Sequence, residues 1–214
     1  MRFTTVFFDL DDTLYPSSAG LWFAIRERMS RYMVERMCLP LEQVDNLRRH
    51  YLETYGTTLR GLQHEFHIDS DDYLAYVHDL PLAEYIQPVP KVREMLLSLP
   101  KQRWIFTNSD INHVRRVLTT LDLDTCFHGI IDVRALDFLN KPDPLAYKCA
   151  LKIAGEPISQ RCVLLDDSLH NLVPARQMGF TTVLVNPDQQ NGNTDYQISK
   201  IEDLPNALPE LWKP

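Results

Sequence analysis

The segment FFDLDDTLYP, residues 7–16, joins the end of an apolar run to a cluster of carboxylates. The run from Thr5 to Leu10 has the short and continuous apolar character of a buried parallel strand. Asp9, Asp11 and Asp12 lie within four positions, and these like charges raise the free energy unless a cation or a substrate group compensates them. The segment therefore predicts a buried strand that ends in a ligand site.

Further apolar runs of the same kind recur along the chain and alternate with helical patterns. The other predicted strands are Trp104–Thr107, Gly129–Val133, Cys162–Leu165 and Thr181–Val185. The predicted helices that alternate with them are Lys91–Leu99, Ile111–Leu121, Pro144–Ala154 and Leu169–Met178. Because alternating strands and helices form parallel sheets with helices on both faces, the expected fold class is α/β, a doubly wound (Rossmann-like) parallel sheet.

The segment from residue 16 to residue 87 interrupts this alternation. It contains helical patterns at Leu21–Met37, Leu41–Tyr55 and Asp71–Leu80, and no convincing strand pattern. The chain returns to the sheet at Pro88-Val89-Pro90, where two prolines stiffen the connection. We therefore predict a core domain at residues 1–15 and 88–214, with an inserted α-helical cap domain at residues 16–87.

The composition is that of an ordinary globular protein, since 44% of the 214 residues are hydrophobic and 24% are charged. A formal net charge of -7 disfavours a nucleic-acid polymer as partner and leaves small anionic ligands open, because a phosphate backbone is bound mainly by clustered Lys and Arg. The N-terminal apolar run meets Asp9 too early for a signal peptide, and no stretch approaches membrane-spanning length. Four widely spaced cysteines predict reduced thiols. We therefore expect a cytoplasmic protein without a membrane partner.

Polar residues follow several of the predicted strands. Ligands of an open parallel sheet bind outside the carboxyl ends of its strands, so these residues are expected to converge. They are Asp9 and Asp11, Thr107 and Asn108, Lys141 in the loop NKPDP, and the pair Asp166 and Asp167. Acidic groups on two different strands predict a shared divalent cation, and carboxylate ligands without a Cys or His cluster favour Mg²⁺.

Other interpretations of single residues stay open. Thr107 at a strand-to-helix turn is compatible with a phosphate cradle and with simple helix capping. Lys141 is compatible with a phosphate contact and with a solvated surface position. His64 and His67 in HEFH are compatible with a softer metal on one helix face, although no partner ligand is evident, and structural or surface histidines are the simpler interpretation.

Four segments, in this order, resemble the four motifs of the haloacid dehalogenase-like hydrolase superfamily. They are FFDLDDTLYP, FTNSD at 106–110, NKPDP at 140–144 and LLDDSLHN at 164–171. The resemblance covers nearly the whole chain and implies a Mg²⁺-dependent phosphomonoester hydrolase. The stretches YLETYGTTLRGL (51–62), DYLAYVHDLPL (72–82) and RWIFTNSDINH (103–113) resemble more narrowly the pyrimidine 5'-nucleotidase branch, which implies pyrimidine nucleoside 5'-monophosphates as substrates.

The resemblance implies a role for each motif residue. Asp9 matches the nucleophile that becomes an aspartyl phosphate, and Asp11 matches the general acid-base. Mg²⁺ would be held by the Asp9 carboxylate, the Asp11 backbone carbonyl and Asp167, with Asp166 as a further ligand or as its support. The groups that bind the phosphoryl oxygens are matched by Thr107, Asn108 and Lys141.

Substrate specificity is expected in the predicted cap, because the core motifs recognise only phosphate and metal. Tyr55 is a candidate for stacking on a base, and Thr57 and Arg60 are candidates for contacts with its polar edge. Aromatic residues on amphipathic helices also commonly form the core of a helical domain, and that alternative remains open. Further stacking candidates are Tyr15, Trp22, Tyr51 and Phe66.

Several other functions remain as alternatives. Asp11 argues against dehalogenation, because the dehalogenases of the superfamily lack that carboxylate and a halide leaves without an acid. Within phosphate chemistry, the alternatives are a phosphatase for a sugar or cofactor phosphate and a phosphomutase. A phospho-accepting signalling module is an alternative of a different class, although such modules are shorter and carry no cap after the first strand.

Overall fold

The structure is a computed structural model that describes residues 2–186, 188 and 192–213. The chain divides into two compact units, the first comprising Met1–Ala19 and Ile86–Pro214 and the second comprising Gly20–Tyr85. The second unit lies inside the predicted segment 16–87. Its function as a cap stays a prediction.

The first unit is built on a parallel sheet. Its strands are β1 (Thr5–Phe8), β2 (Gln102–Phe106), β3 (Gly129–Ile131), β4 (Cys162–Asp166), β5 (Thr181–Val185) and β6 (Tyr196–Ile198). They form one six-stranded sheet in the order β3-β2-β1-β4-β5-β6, and every neighbouring pair is parallel. The predicted doubly wound parallel sheet is confirmed, and β6 extends it with a strand that the polar tail did not predict.

The helices divide between the two units. The second unit contains α1 (Leu21–Glu35), α2 (Leu41–Tyr55), α3 (Thr58–Phe66) and α4 (Ser70–His78). The first unit contains α5 (Pro90–Ser98), α6 (Ile111–Thr120), α7 (Pro144–Ile153), α8 (Leu169–Gln177) and the short α9 (Leu204–Ala207). Among the described residues, no helix combines the length and the apolar character that crossing a membrane requires.

The strand order reverses beside β1. The chain steps outward from β1 to β2 and β3, returns to β4 on the other side of β1, and continues to β5. Right-handed crossovers therefore place α5 and α6 on one face of the sheet and α7 and α8 on the other. On the second face, Phe7 and Leu164 belong to one buried cluster with Tyr147 of α7 and Leu172 of α8. The reversal opens a crevice at the carboxyl ends of β1 and β4, the usual ligand position in such sheets.

Asp195 anchors the segment before β6 to β5 and α8. Its Oδ2 accepts hydrogen bonds from the Thr182 N–H at 2.9 Å and the Thr182 hydroxyl at 3.0 Å, and its Oδ1 accepts from Arg176 Nε at 3.0 Å. Burial alone would raise the pKa of Asp195, but these hydrogen bonds and the Arg176 charge outweigh burial and lower the pKa. The resulting stabilisation is fully present above the unfolded-state pKa of about 3.9 and is lost as the pH falls through the lower folded-state pKa.

Asp195→Asn should lower the free energy of unfolding by about 1–2 kcal/mol at pH 7, because it removes the charged acceptor of these hydrogen bonds. The difference from wild type should shrink below a pH of about 4, where the wild-type carboxylate also becomes protonated. Urea unfolding at neutral and acidic pH measures both effects, with the exposed Asp137→Asn as the control. An equal loss at both pH values would show that the charge of Asp195 contributes nothing.

The second unit includes a helix, α3, that the sequence patterns did not predict. Thr57 begins it, because its Oγ1 accepts a hydrogen bond from the Arg60 N–H at 3.2 Å. Leu59 and Leu62 are buried. At nine residues the helix is too short to show a clear period, and its stability comes from packing against its neighbours.

Gly61 allows α3 to approach Tyr51 of α2 closely. A Cβ added at Gly61 would lie 2.3 Å from Tyr51 Cγ. The Tyr51 side chain is fully buried, and its hydroxyl donates a hydrogen bond to Glu65 Oε2 at 2.7 Å. Packing around the ring and the hydrogen bond of the hydroxyl therefore both oppose a shift of Tyr51 away from α3. The close packing of these two helices therefore requires a glycine at position 61.

Gly61→Ala should lower the free energy of unfolding by about 2 kcal/mol, although alanine by itself favours a helix by about 1 kcal/mol. Thermal unfolding followed by calorimetry measures the change. Gly192→Ala is the control, because among the described residues a Cβ there meets only Leu169 Cδ1, at 4.0 Å. An unchanged or raised unfolding temperature for Gly61→Ala would contradict the packing argument.

Candidate active site

The acidic residues of the first and last motifs meet at the carboxyl ends of β1 and β4. These strands are paired in parallel, and the Asp9 N–H donates a hydrogen bond to the Leu165 carbonyl at 2.9 Å. Asp9, Asp166 and Asp167 each direct one carboxylate oxygen into a group whose members lie within 4.8 Å of one another. This is the arrangement of hard oxygen ligands that a small divalent cation requires.

Lys141 lies inside this acidic group. Its Nζ donates to Asp9 Oδ1 at 2.8 Å and to Asp166 Oδ2 at 2.6 Å, and its side chain is only 1% exposed. The open interpretation of Lys141 as a solvated surface residue is therefore wrong. Burial would lower the pKa of Lys141, but the two carboxylates outweigh burial and raise it, so the ammonium group stays charged.

The single ammonium group does not neutralise the acidic residues. Burial raises the pKa of Asp9 to about 7, because the repulsion from Asp166 adds to burial while Lys141 offsets only part of both. Burial and the charges of Asp166 and Asp9 raise the pKa of Asp167 to about 9. Two carboxyl groups that resist ionisation at neutral pH fit a site that gains a cation, because a divalent ion would favour their charged forms.

Asp166 is held by the protein on both oxygens. Its Oδ1 accepts hydrogen bonds from the Ser168 N–H and from Asn171 Nδ2, each at 3.0 Å. Its Oδ2 accepts from Lys141 Nζ and, at 3.2 Å, from Asn171 Nδ2. These contacts show Asp166 as a support that positions Lys141 and the β4 loop. The assignment of Asp9, Asp166 and Asp167 as cation ligands stays a prediction.

Asn108 joins the loop after β2 to the loop that carries Lys141. Its Nδ2 donates to the Lys141 carbonyl at 2.9 Å, and its Oδ1 accepts from the Lys141 N–H at 2.8 Å. The preceding residue, Thr107, is buried, and its Oγ1 accepts from the Ser109 N–H at 3.1 Å. The Asn108 side chain thus orients Lys141, and the phosphate contacts of Thr107 and Asn108 stay predictions.

Asp11 is surrounded by three hydrogen-bond donors. Its Oδ1 accepts from the Tyr15 hydroxyl at 2.7 Å and contacts His113 Nε2 at 2.8 Å, and its Oδ2 accepts from the Ser109 hydroxyl at 2.7 Å. Burial would raise the pKa of Asp11, but His113 and these hydrogen bonds outweigh burial and hold the pKa well below its usual range. Asp11 is therefore ionised in this structure.

None of the three donors around Asp11 was predicted to contact it, and Tyr15 was considered only as a stacking platform. The interpretation of Tyr15 as a platform for a base is wrong, because the side chain is buried and its hydroxyl contacts Asp11. His113 lies on the buried face of α6 beside Val114 and Val117. A histidine on that otherwise apolar face is the one sequence signal that would have drawn attention to it.

The predicted specificity residues lie in the second unit and contact one another or its helices. The Tyr55 hydroxyl lies 3.2 Å from His64 Nδ1 and 3.4 Å from Glu65 Oε1, and Thr57 caps α3 through the Arg60 N–H. The stacking role considered for Tyr51 is wrong, because that ring is fully buried. Roles of Tyr55, Thr57 and Arg60 in substrate binding stay predictions.

Proteins similar in sequence to this chain include two whose names refer to phosphate metabolism or to a phosphatase. It is 29% identical over 192 residues to phosphate metabolism protein 8 of Saccharomyces cerevisiae, and the match covers 83% of this chain but only 60% of that relative. It is 26% identical over 197 residues to glyceraldehyde 3-phosphate phosphatase of Pyrococcus furiosus, with 85% of this chain and 80% of that protein covered.

Solved structures share the fold at low sequence identity. The magnesium-bound HAD hydrolase YfnB of Bacillus subtilis matches with a TM-score of 0.65 and 19% identity over 96% of this chain and 98% of that chain. L-2-haloacid dehalogenase of Xanthobacter autotrophicus matches with a TM-score of 0.62 and 16% identity over 95% and 97% of the two chains.

Asp9, Lys141 and Asp167 lie together at the switch point of the sheet. The family model that describes haloacid dehalogenase-like hydrolases matches residues 3–179, which include every element from β1 to α8. By sequence and by fold, the chain belongs to the haloacid dehalogenase-like hydrolases.

Proposed function

We propose that this protein is a Mg²⁺-dependent phosphomonoester hydrolase that acts through an aspartyl phosphate on Asp9. The observation that carries the proposal is the buried contact of Lys141 with Asp9, beside the Asp167 carboxylate and within the group that could hold a cation. A carboxylate nucleophile next to an ammonium group and a metal can approach a phosphate dianion without prohibitive repulsion. The proposed substrate is a small phosphorylated metabolite, and the proposed location of the enzyme is the cytoplasm.

The reaction proceeds in two steps that share the same residues. An Asp9 oxygen attacks phosphorus, the bond from phosphorus to the ester oxygen breaks, and Asp11 protonates the leaving alkoxide. Asp11 then takes a proton from water, the water oxygen attacks phosphorus, and the bond to Asp9 breaks to release inorganic phosphate. Asp11 therefore loses a proton in the first step and regains one in the second, so its protonation alternates through the cycle.

The residues around the phosphate would bind and orient it. Lys141 and the backbone after Thr107 hold the phosphoryl oxygens and stabilise the charge that develops on them. Asp9, Asp167 and the Asp11 backbone carbonyl would hold Mg²⁺, with Asp166 supporting Lys141. When bound, the ion offsets the repulsion between carboxylates and phosphate and orients the phosphoryl group.

A pyrimidine nucleoside 5'-monophosphate is the proposed substrate. The support comes from the stretches at 51–62 and 72–82 that resemble pyrimidine 5'-nucleotidases, and Tyr55, Thr57 and Arg60 are the proposed base contacts. Phosphate release from a panel of phosphorylated metabolites in the presence of Mg²⁺ tests this assignment. UMP and CMP should show the highest kcat/KM, and a preference for a sugar phosphate would overturn the nucleotide assignment.

A triose phosphate is the second candidate substrate. The similarity to glyceraldehyde 3-phosphate phosphatase of Pyrococcus furiosus covers 80% of that protein and favours it. Glyceraldehyde 3-phosphate therefore belongs in the same panel. Haloacid dehalogenation is disfavoured despite the shared fold, because Asp11 supplies the acid that an alkoxide requires and a halide does not.

Removal of Mg²⁺ should abolish activity and lower stability together. In EDTA we expect no measurable phosphate release, and addition of saturating Mg²⁺ should restore it while stabilising the fold by about 2–3 kcal/mol at 100 times the dissociation constant. Thermal unfolding with and without Mg²⁺ measures the second effect. The shift should disappear in Asp167→Asn and persist in Asp137→Asn. An enzyme that is equally active and stable in EDTA would refute the metal assignment.

A further inference from the structure

The Asp11 carboxylate is bound asymmetrically by the residues around it. Oδ1 receives two contacts, from the Tyr15 hydroxyl and His113 Nε2, whereas Oδ2 receives one, from the Ser109 hydroxyl. A carboxylate oxygen has two lone pairs that accept hydrogen bonds. Among the described residues, the protein therefore fills the lone pairs of Oδ1 and leaves one on Oδ2.

His113 is the member of this set that is best placed to fix the carboxylate. The His113 side chain is completely buried. The backbone N–H of His113 donates a hydrogen bond to Asp110 Oδ1 at 3.3 Å at the start of α6, so the helix sets the position of the ring. Nε2 lies 2.8 Å from Asp11 Oδ1, which is hydrogen-bond distance, and so links the buried ring directly to the carboxylate. Tyr15 lies on the same loop as Asp11, whereas His113 ties the carboxylate to a different element.

We propose that His113 is a positioning residue that binds Asp11 Oδ1 and thereby assigns proton exchange to Oδ2. This inference rests on the proposed function, in which Asp11 acts as acid in the first step and as base in the second. Without the contact from His113, the carboxylate gains freedom to rotate, and the two oxygens become interchangeable. Displacement of a catalytic group by about 1 Å is enough to slow a reaction on the order of 10²-fold.

The two steps of the reaction separate the role of His113 from a purely structural one. p-Nitrophenyl phosphate has a weakly basic leaving group, so transfer to Asp9 needs no acid, but hydrolysis of the aspartyl phosphate still needs Asp11 as base. In His113→Leu we expect a burst of about one equivalent of p-nitrophenolate per enzyme, followed by turnover on the order of 10²-fold slower than wild type. A merely structural defect would reduce the burst and the turnover together.

Restoration of the hydrogen bond should restore turnover. The amide nitrogen of Gln can take the place of Nε2, so His113→Gln should return to within about tenfold of wild type, whereas the shorter His113→Asn should stay slow. Asp11→Asn should reproduce the burst and the slow turnover. Arg115→Gln, an exposed position on the same helix, is the matched control and should behave as wild type. Thermal unfolding checks that each variant is folded.

The outcomes distinguish this inference from the proposed function. If wild type and Arg115→Gln hydrolyse the ester and Asp11→Asn shows the burst, but His113→Leu turns over as wild type, the positioning role is wrong and the proposed function stands. If His113→Leu does not fold, equal rates for the Gln and Asn variants overturn the role, and a faster Gln variant supports it. If the wild-type enzyme does not release phosphate, the proposed function fails and the inference fails with it.

Discussion

Asp9→Asn should reduce phosphate release by a factor on the order of 10⁴ or more. The amide is a far weaker nucleophile than the carboxylate, and a nucleophile that forms a covalent intermediate is among the most costly groups to remove. The substitution also replaces a carboxylate that contacts Lys141 at 2.8 Å with a neutral group of the same shape, so the fold should persist. Pre-steady-state measurements with excess p-nitrophenyl phosphate should show no burst, in contrast to the burst expected of Asp11→Asn.

The control for Asp9→Asn is the same chemical change at an exposed aspartate. Asp137 has a backbone φ of 53°, a conformation that Asn tolerates as well as Asp, so Asp137→Asn should retain wild-type activity. Mass spectrometry of the wild-type enzyme trapped during turnover should find phosphate on Asp9. Phosphate release that survives Asp9→Asn would exclude Asp9 as the nucleophile, and a stable phospho-Asp9 without turnover would favour a signalling module.

Lys141→Met should lower both activity and stability. The side chain is fully enclosed and contacts Asp9 and Asp166, so its removal leaves two buried carboxylates without their cation. Breaking a buried ion pair in this way costs about 3–5 kcal/mol, and the value should be near the lower end because Asp9 can take up a proton. Loss of a cation that stabilises the transferring phosphoryl group should reduce kcat by a factor on the order of 10²–10³.

Urea unfolding and steady-state kinetics with saturating Mg²⁺ separate the effects of Lys141→Met on stability and on kcat. Urea unfolding in EDTA gives the loss of stability, and added Mg²⁺ should recover part of it by offsetting the same carboxylates. Lys148→Met, an exposed position on α7, should change the free energy of unfolding by less than about 0.5 kcal/mol. A Lys141→Met variant with unchanged stability and more than a tenth of wild-type kcat would contradict the placement of Lys141.

The sequence alone predicted the sheet and the convergence of its charged motifs. Buried parallel strands are short apolar runs, and their carboxyl ends share one edge, so the sequence predicts that Asp9, Lys141 and Asp167 lie together. Strand β6 and helix α3 were not predicted. Both are short elements whose stability comes from tertiary contacts, namely the Asp195 hydrogen bonds for β6 and the packing of Gly61 on Tyr51 for α3.

The sequence by itself determined the fold class and the identity of the charged groups, because apolar periodicity and motif order are local properties of the chain. The tertiary structure alone decided how those groups are paired: Lys141 lies between Asp9 and Asp166, and His113 and Ser109 hold Asp11. Their directions and pKa values depend on burial and on partners distant in the chain. Burial and distance between side chains arise only when the strands pack, so no local pattern encodes them.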